Sequence, residues 1–153
     1  LRARDPIPVA QLRRYRLPSE GSTADYEVLT TESIELPRLN YKRNNAKDYR
    51  YTYGVSNRQD RPADFNNQLV KVDVRDRSAK VWRDENCYVG EPVFVAAPSA
   101  SAEDKGVVLS VVLDASKGNS FLLVLDADSF NELARAEVPH HIPFGFHGQF
   151  FAA

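Results

Sequence analysis

Short alternations of apolar and polar residues divide this chain into strands. Alternation with a period of two is typical of a β-strand with one buried face, and it occurs at residues 49–55 (YRYTYGV), 68–74 (QLVKVDV) and 134–138 (ARAEV). Residues 106–113 (GVVLSVVL) and 120–125 (SFLLVL) are almost continuously apolar, which indicates strands buried on both faces. The pattern therefore predicts an all-β fold.

Two successive blocks of the sequence follow the same plan of four short strands. Each block opens with a glutamate close to a proline, Glu35 in ESIELPRLNY and Glu91 in EPVFVAA. A four-stranded antiparallel unit that repeats at roughly 50 residues indicates a β-propeller blade. The same strands would also support a sandwich of about eight to ten strands. Blades are favoured because the second block copies the first in order and spacing.

We therefore predict one incomplete domain over residues 1–153, a partial β-propeller. Residues 11–31 would be the outer strands of a preceding blade. Residues 32–86 and 91–139 would each form a blade, and residues 144–151 would add a closing inner strand.

Composition excludes several classes of function. The 20 Lys and Arg residues are balanced by 21 Asp and Glu residues, so no basic surplus suggests a nucleic-acid partner. The apolar runs are too short to span a bilayer. Cys87 is the only cysteine, which rules out a disulfide framework within the chain. The chain begins at Leu1, without methionine and inside a charged run, and we expect it to be a piece of a larger protein.

The most informative candidate residue for chemistry is His147, in the stretch FGFHGQF. A histidine between aromatic residues is more often structural than a metal ligand. The blade pattern strengthens the metal interpretation, because the first strand of a blade lines the central axis. Glu35, Glu91 and His147 each lie near the start of a successive block, so we expect them around one channel.

Several long stretches of the sequence resemble the carotenoid cleavage oxygenase family. The resemblance extends over residues 35–150 and implies the C-terminal portion of a seven-bladed propeller. It also implies one Fe(II) on the propeller axis, held by four histidines. The stretches that carry it are IELPRLNY, YRYTYG, EPVFVAAP, EDKGVVLSVVLD, FLLVLDA and ELARAEVPHHIPFGFHGQF.

The resemblance assigns roles to three of these residues. His147 would be the last histidine ligand of the metal, and Glu91 would hydrogen-bond that ligand, with an oxygen about 2.7–3.2 Å from a ring nitrogen. Glu35 would support another histidine that lies upstream of this chain, so here it should face solvent or find a substitute donor. His140 and His141 do not match ligand positions. No side chain is expected to act as a catalytic acid or base.

By the same resemblance, the parent protein would be a dioxygenase. It would use Fe(II) and O₂ to cleave one double bond of an apolar conjugated substrate, namely a carotenoid, an apocarotenoid or a stilbene, into two carbonyl products. The isolated chain should be inactive, and the parent cytoplasmic or peripherally membrane-associated through regions outside the chain. Two alternatives stay open: a non-catalytic propeller that has lost its iron, and a propeller hydrolase with carboxylate metal ligands.

Overall fold

The computed structural model describes residues 9–60 and 65–152, and the rest of the predicted domain lies outside these ranges. Strands make up nearly all of the regular structure there, and the single short helix has four residues. The all-β prediction is confirmed. In chain order the elements are β1 (Gln11–Arg16), β2 (Asp25–Ser33), β3 (Glu35–Arg38), α1 (Tyr41–Asn44), β4 (Tyr51–Ser56), β5 (Gln68–Asp73), β6 (Ser78–Trp82), β7 (Cys87–Val89), β8 (Val93–Ala96), β9 (Gly106–Asp114), β10 (Asn119–Asp126) and β11 (Glu132–Val138).

The strands form three antiparallel sheets. Strands β1 and β2 make an N-terminal hairpin, and β3-β4-β5-β6 make the first sheet in simple sequence order. The second sheet has the order β11-β10-β9, and the far edge of β9 pairs with both β7 and β8. Most paired strands are neighbours in sequence, and the exception is β7, which pairs with β9 rather than with β8.

One edge of the second sheet, the inner edge, consists of β7 and β8. Together they resemble a single strand that is interrupted at residues 90–92. Strand β7 pairs with residues 112–114 and β8 with residues 106–109. At the interruption the Gly90 N–H donates to the Val111 carbonyl at 2.9 Å, and a Cβ on Gly90 would meet that same oxygen at 2.9 Å. Strand β7 lies between the two predicted blocks, and its three residues are too few for a periodic signal.

Two apolar cores hold the sheets against each other. The first and second sheets meet through Leu69 and Trp82 on one side and Phe121 and Leu123 on the other. The opposite face of β5 presents Val70, which packs with the N-terminal hairpin. The first sheet is therefore covered on both faces, which explains why β5 is buried at successive positions although its sequence alternates.

The charged residue Lys71 is buried in the interface between the two sheets together with its partner Asp104. Its ammonium lies 2.6 Å from Asp104 Oδ2 and donates to the Asp128 carbonyl at 3.0 Å. It also lies 4.1 Å from the centroid of the Tyr51 ring. Lys71 thus links the first sheet to the turns that precede β9 and follow β10.

The expected closing strand at residues 144–151 is not formed in this chain. A strand needs a neighbour to pair its backbone N–H and carbonyl groups. None of the described strands pairs with this segment, which instead lines a cavity together with residues of β9 and β10 such as Leu109 and Leu122.

Replacing Lys71 by alanine should cost about 3–5 kcal/mol in free energy of unfolding, because it leaves the Asp104 carboxylate buried without its cation. Lys80→Ala is the matched control, since Lys80 donates to the same Asp128 carbonyl from an exposed position. That control should cost no more than about 0.5 kcal/mol. Urea unfolding of both variants measures the difference, and equal losses would contradict the role given to Lys71.

Candidate functional site

The segment after β11 returns to the inner edge of the second sheet. At its start the Ser120 N–H donates to the His140 carbonyl at 3.1 Å, and the Ser120 hydroxyl accepts from the Ile142 N–H at 2.9 Å. Further on, the Phe144 ring stacks on Phe65 with centroids 4.4 Å apart. These contacts bring His147 to the interruption between β7 and β8.

Glu91 and His147 are in direct contact there. Glu91 Oε1 lies 3.0 Å from His147 Nδ1, and Oε2 accepts from the Gly148 N–H at 2.9 Å. The Glu91 side chain is 4% exposed and the His147 side chain 65% exposed. The expected contact and its distance range are therefore both found.

The contact determines which nitrogen of His147 carries the hydrogen. An ionised carboxylate can only accept, so Nδ1 donates, and in the neutral form of the ring Nε2 then keeps its lone pair. In the described ranges Nε2 has no hydrogen-bond partner. The Phe146 ring meets the imidazole edge-on with centroids 4.6 Å apart. An imidazole whose second nitrogen donates to a carboxylate is the usual arrangement of a metal-ligating histidine, so the pair fits the role of one ligand.

The other candidate residues make no hydrogen bond or ion pair with Glu91 or His147 in the described part of the chain. Glu35, the first residue of β3, is exposed, and its carboxylate has no hydrogen bond or ion pair in the described part of the chain. This matches the expectation that it faces solvent, but its supporting role stays a prediction. His140 and His141 are exposed as well. Across residues 9–60 and 65–152, no group of three or more His, Cys, Asp or Glu side chains could hold a metal ion.

Cys87 does not take part in the site. It is 2% exposed in β7 and packs in the core between the two sheets. Burial is the main cause that raises the pKa of its thiol to about 11. The thiol is therefore protonated at neutral pH and serves as a small core residue.

Two features of the site were missed by sequence reasoning. Arg38 reaches Glu91 from the first sheet, with Nη1 3.4 Å from Oε2. A cavity of about 300 Å³ lies beside Glu91 and His147, with apolar side chains of the second sheet, such as Val111 and Leu122, in its lining. No spacing in the sequence relates position 38 to position 91, since the contact depends on how two sheets stack.

The sequence matches the retinal pigment epithelial membrane protein family over residues 2–152, nearly the whole chain. The chain belongs to this family of carotenoid cleavage oxygenases. The predicted resemblance is thus confirmed. No helix in the described part of this family member is long and apolar enough to cross a membrane.

Curated relatives in the family come from animals and plants. The chain is 48% identical to the mitochondrial carotenoid-cleaving dioxygenases of Mustela putorius furo and Homo sapiens, over 118 residues or 76% of its length. It is 39% identical to the chloroplastic carotenoid cleavage dioxygenase 8 homolog A of Oryza sativa subsp. japonica, over 97% of its length. It spans only 21%, 20% and 27% of these three relatives.

Solved structures in the family share the fold. A variant of Synechocystis apocarotenoid oxygenase superimposes with a TM-score of 0.83 at 26% identity, covering 90% of this chain and 29% of the other. The cobalt-substituted form of that oxygenase gives a TM-score of 0.82 with the same identity and coverage. Carotenoid oxygenases are seven-bladed propellers, and this chain has the fold of part of one, which favours blades over the sandwich alternative.

Removing the Glu91 carboxylate should allow the His147 ring to adopt either of its two neutral tautomers. In Glu91→Ala the ring nitrogens should lose the distinct protonated Nδ1 and unprotonated Nε2 signals, because no acceptor faces Nδ1. Nitrogen NMR of ¹⁵N-histidine-labelled protein measures this directly. A mildly alkaline pH is used because imidazole rings are neutral there, so that only the tautomers differ.

Glu35→Ala serves as the control for this measurement, because it removes the other predicted glutamate from an exposed position. It should leave the His147 signals unchanged. Unaltered His147 signals in Glu91→Ala would show that the contact does not set the tautomer.

Proposed function

We propose that this chain is the C-terminal part of a non-haem Fe(II) dioxygenase. The whole enzyme would cleave one C=C bond of a carotenoid, an apocarotenoid or a stilbene with O₂ and release two carbonyl products. The observation that carries the proposal is the contact between His147 Nδ1 and the Glu91 carboxylate in a member of the carotenoid cleavage oxygenase family.

The comparisons support the parts of this proposal to different degrees. The animal and plant relatives are named for carotenoid cleavage, which supports a carotenoid or apocarotenoid substrate. The Synechocystis neighbour has been solved in a cobalt-substituted form, which supports a metal site in that protein. The choice of iron and the position of this chain within a longer enzyme belong to the proposal.

In the proposed enzyme, His147 would bind the metal through Nε2. Fe(II) would supply the redox chemistry with O₂, which amino-acid side chains do not provide. Neutral imidazole adds no charge to the ion, and Glu91 keeps the ring in the tautomer that leaves Nε2 free. The Gly148 N–H and Arg38 hold Glu91 in turn. No proton transfer by a side chain of this chain is required.

One histidine provides only one bond to the metal. The other three proposed ligands would come from blades outside this chain, as would most of the substrate tunnel and any contact with a membrane surface. We propose a cytoplasmic or peripherally membrane-associated location for the parent. A family member that has lost its iron would keep the same fold and the same Glu91–His147 contact, so iron content separates the two functions.

The full-length protein that contains this chain should bind one Fe(II) per polypeptide and convert an apocarotenoid or a stilbene into aldehyde products. His147→Ala should abolish stoichiometric iron and turnover, because it removes one of four ligands. His141→Ala is the control, since His141 is exposed and outside the ligand pattern. Metal analysis after desalting and product chromatography measure both properties.

The 153-residue chain alone should retain no stoichiometric iron after the same desalting and should cleave neither substrate. Tight one-to-one iron with turnover in the isolated chain would contradict the proposal of ligands outside it. A folded full-length protein without iron would favour the non-catalytic alternative.

A further inference from the structure

Glu91 is the most buried charged group of the site, and it receives donors from two directions. On one side lie the ring N–H of His147 and the backbone N–H of Gly148, at 3.0 and 2.9 Å. On the other side lies Arg38, whose Nη1 is 3.4 Å from Oε2. Arg38 is the one cationic side chain that pairs with Glu91 in the described ranges.

A carboxylate with a side chain 4% exposed needs a compensating charge as well as hydrogen bonds. The Gly148 amide, and the His147 ring in its neutral form, supply hydrogen bonds without a full positive charge. Arg38 supplies that charge. Its own side chain is 22% exposed, so the pair is poorly screened by solvent.

Arg38 is itself held in place by the first sheet. It is the last residue of β3, where it lies opposite Tyr53 of β4, and its carbonyl accepts from the Thr52 hydroxyl at 3.0 Å. Its guanidinium carbon lies 5.7 Å from the centroid of the Tyr41 ring. The cation therefore approaches Glu91 from the neighbouring sheet and from a fixed direction.

We propose that Arg38 is a positioning residue that acts on His147 through Glu91. By holding Oε2, its cation keeps Oε1 directed at the His147 Nδ1–H, so that Nε2 is the nitrogen left available. The contact involves one guanidinium nitrogen rather than a bidentate pair, so a lysine ammonium can replace it. This inference depends on the proposed function only for what Nε2 binds, because the effect on the ring exists without metal.

The test uses the metal-free 153-residue chain, whose three histidines can be assigned one by one by substitution. In Arg38→Ala, the His147 ring nitrogen signals should move towards each other, as the single tautomer gives way to a mixture. Arg38→Lys should keep the wild-type signals, and Arg38→Gln, which is neutral and of similar length, should behave like the alanine variant. Urea midpoints confirm that each variant is folded.

Arg50→Ala is the matched control. Arg50 directly precedes β4 of the first sheet and pairs with carboxylates, Asp73 and Asp76, but no hydrogen bond or ion pair joins it to Glu91. It should leave the His147 signals in place. Wild-type signals in Arg38→Ala, or an Arg38→Lys variant no better than Arg38→Gln, would overturn the proposal.

Iron retention by the full-length protein separates this inference from the proposed function. Loss of Glu91 should weaken iron binding about 10–100-fold, and loss of Arg38 by a smaller factor in the same direction. If the full-length protein holds no iron but Arg38→Ala still shifts the His147 signals, the proposed function fails and the positioning role stands. If the full-length protein binds iron but the His147 signals do not shift in Arg38→Ala, the proposed function stands and the positioning role fails.

Discussion

The burial of one carboxylate organises the site of this protein. Glu91 lies where the inner strand of the second sheet is interrupted, and a carboxylate is stable there only when donors surround it. Its donors come from the C-terminal segment and from the neighbouring sheet. The same residue therefore fixes the path of the chain around His147 and the tautomer of the ring.

The interruption of the strand makes this arrangement around Glu91 possible. Between β7 and β8 the backbone leaves the regular ladder, yet Gly90 stays tied to β9 through its N–H to Val111 and its carbonyl, which accepts from the Ser110 hydroxyl at 2.8 Å. Gly90 on one side and the pairing of β8 from Val93 on the other thus hold the backbone around Glu91. A rigid support of this kind orients a side chain better than a free loop does.

The stacking of the sheets places Arg38 within reach of Glu91. Most of the interface is apolar and would tolerate small displacements, because dispersion contacts have no strong direction. The Lys71–Asp104 pair is directional, and sliding one sheet over the other would leave two charges buried without partners. The geometry of the site thus depends on a contact between the sheets that contains no candidate site residue.

Much of the fold could be predicted from the chain itself. Alternation and apolar runs identified β4, β5, β9 and β10, because a strand with a buried face repeats every two residues. Strand β7 and the helix α1 were missed, since three and four residues are too short to show a period. The strand expected at residues 144–151 did not form, because pairing needs a neighbour that local sequence does not specify.

For the site, the sequence by itself determined the residue types and the family. His147 and Glu91 stand in motifs that predicted their contact, and the contact is present at 3.0 Å. Only the tertiary structure decided that Arg38 joins them, whereas the family resemblance had already placed the partner of Glu35 outside this chain. The Arg38 contact depends on how sheets stack, a property of distances across space that no spacing along a single chain encodes.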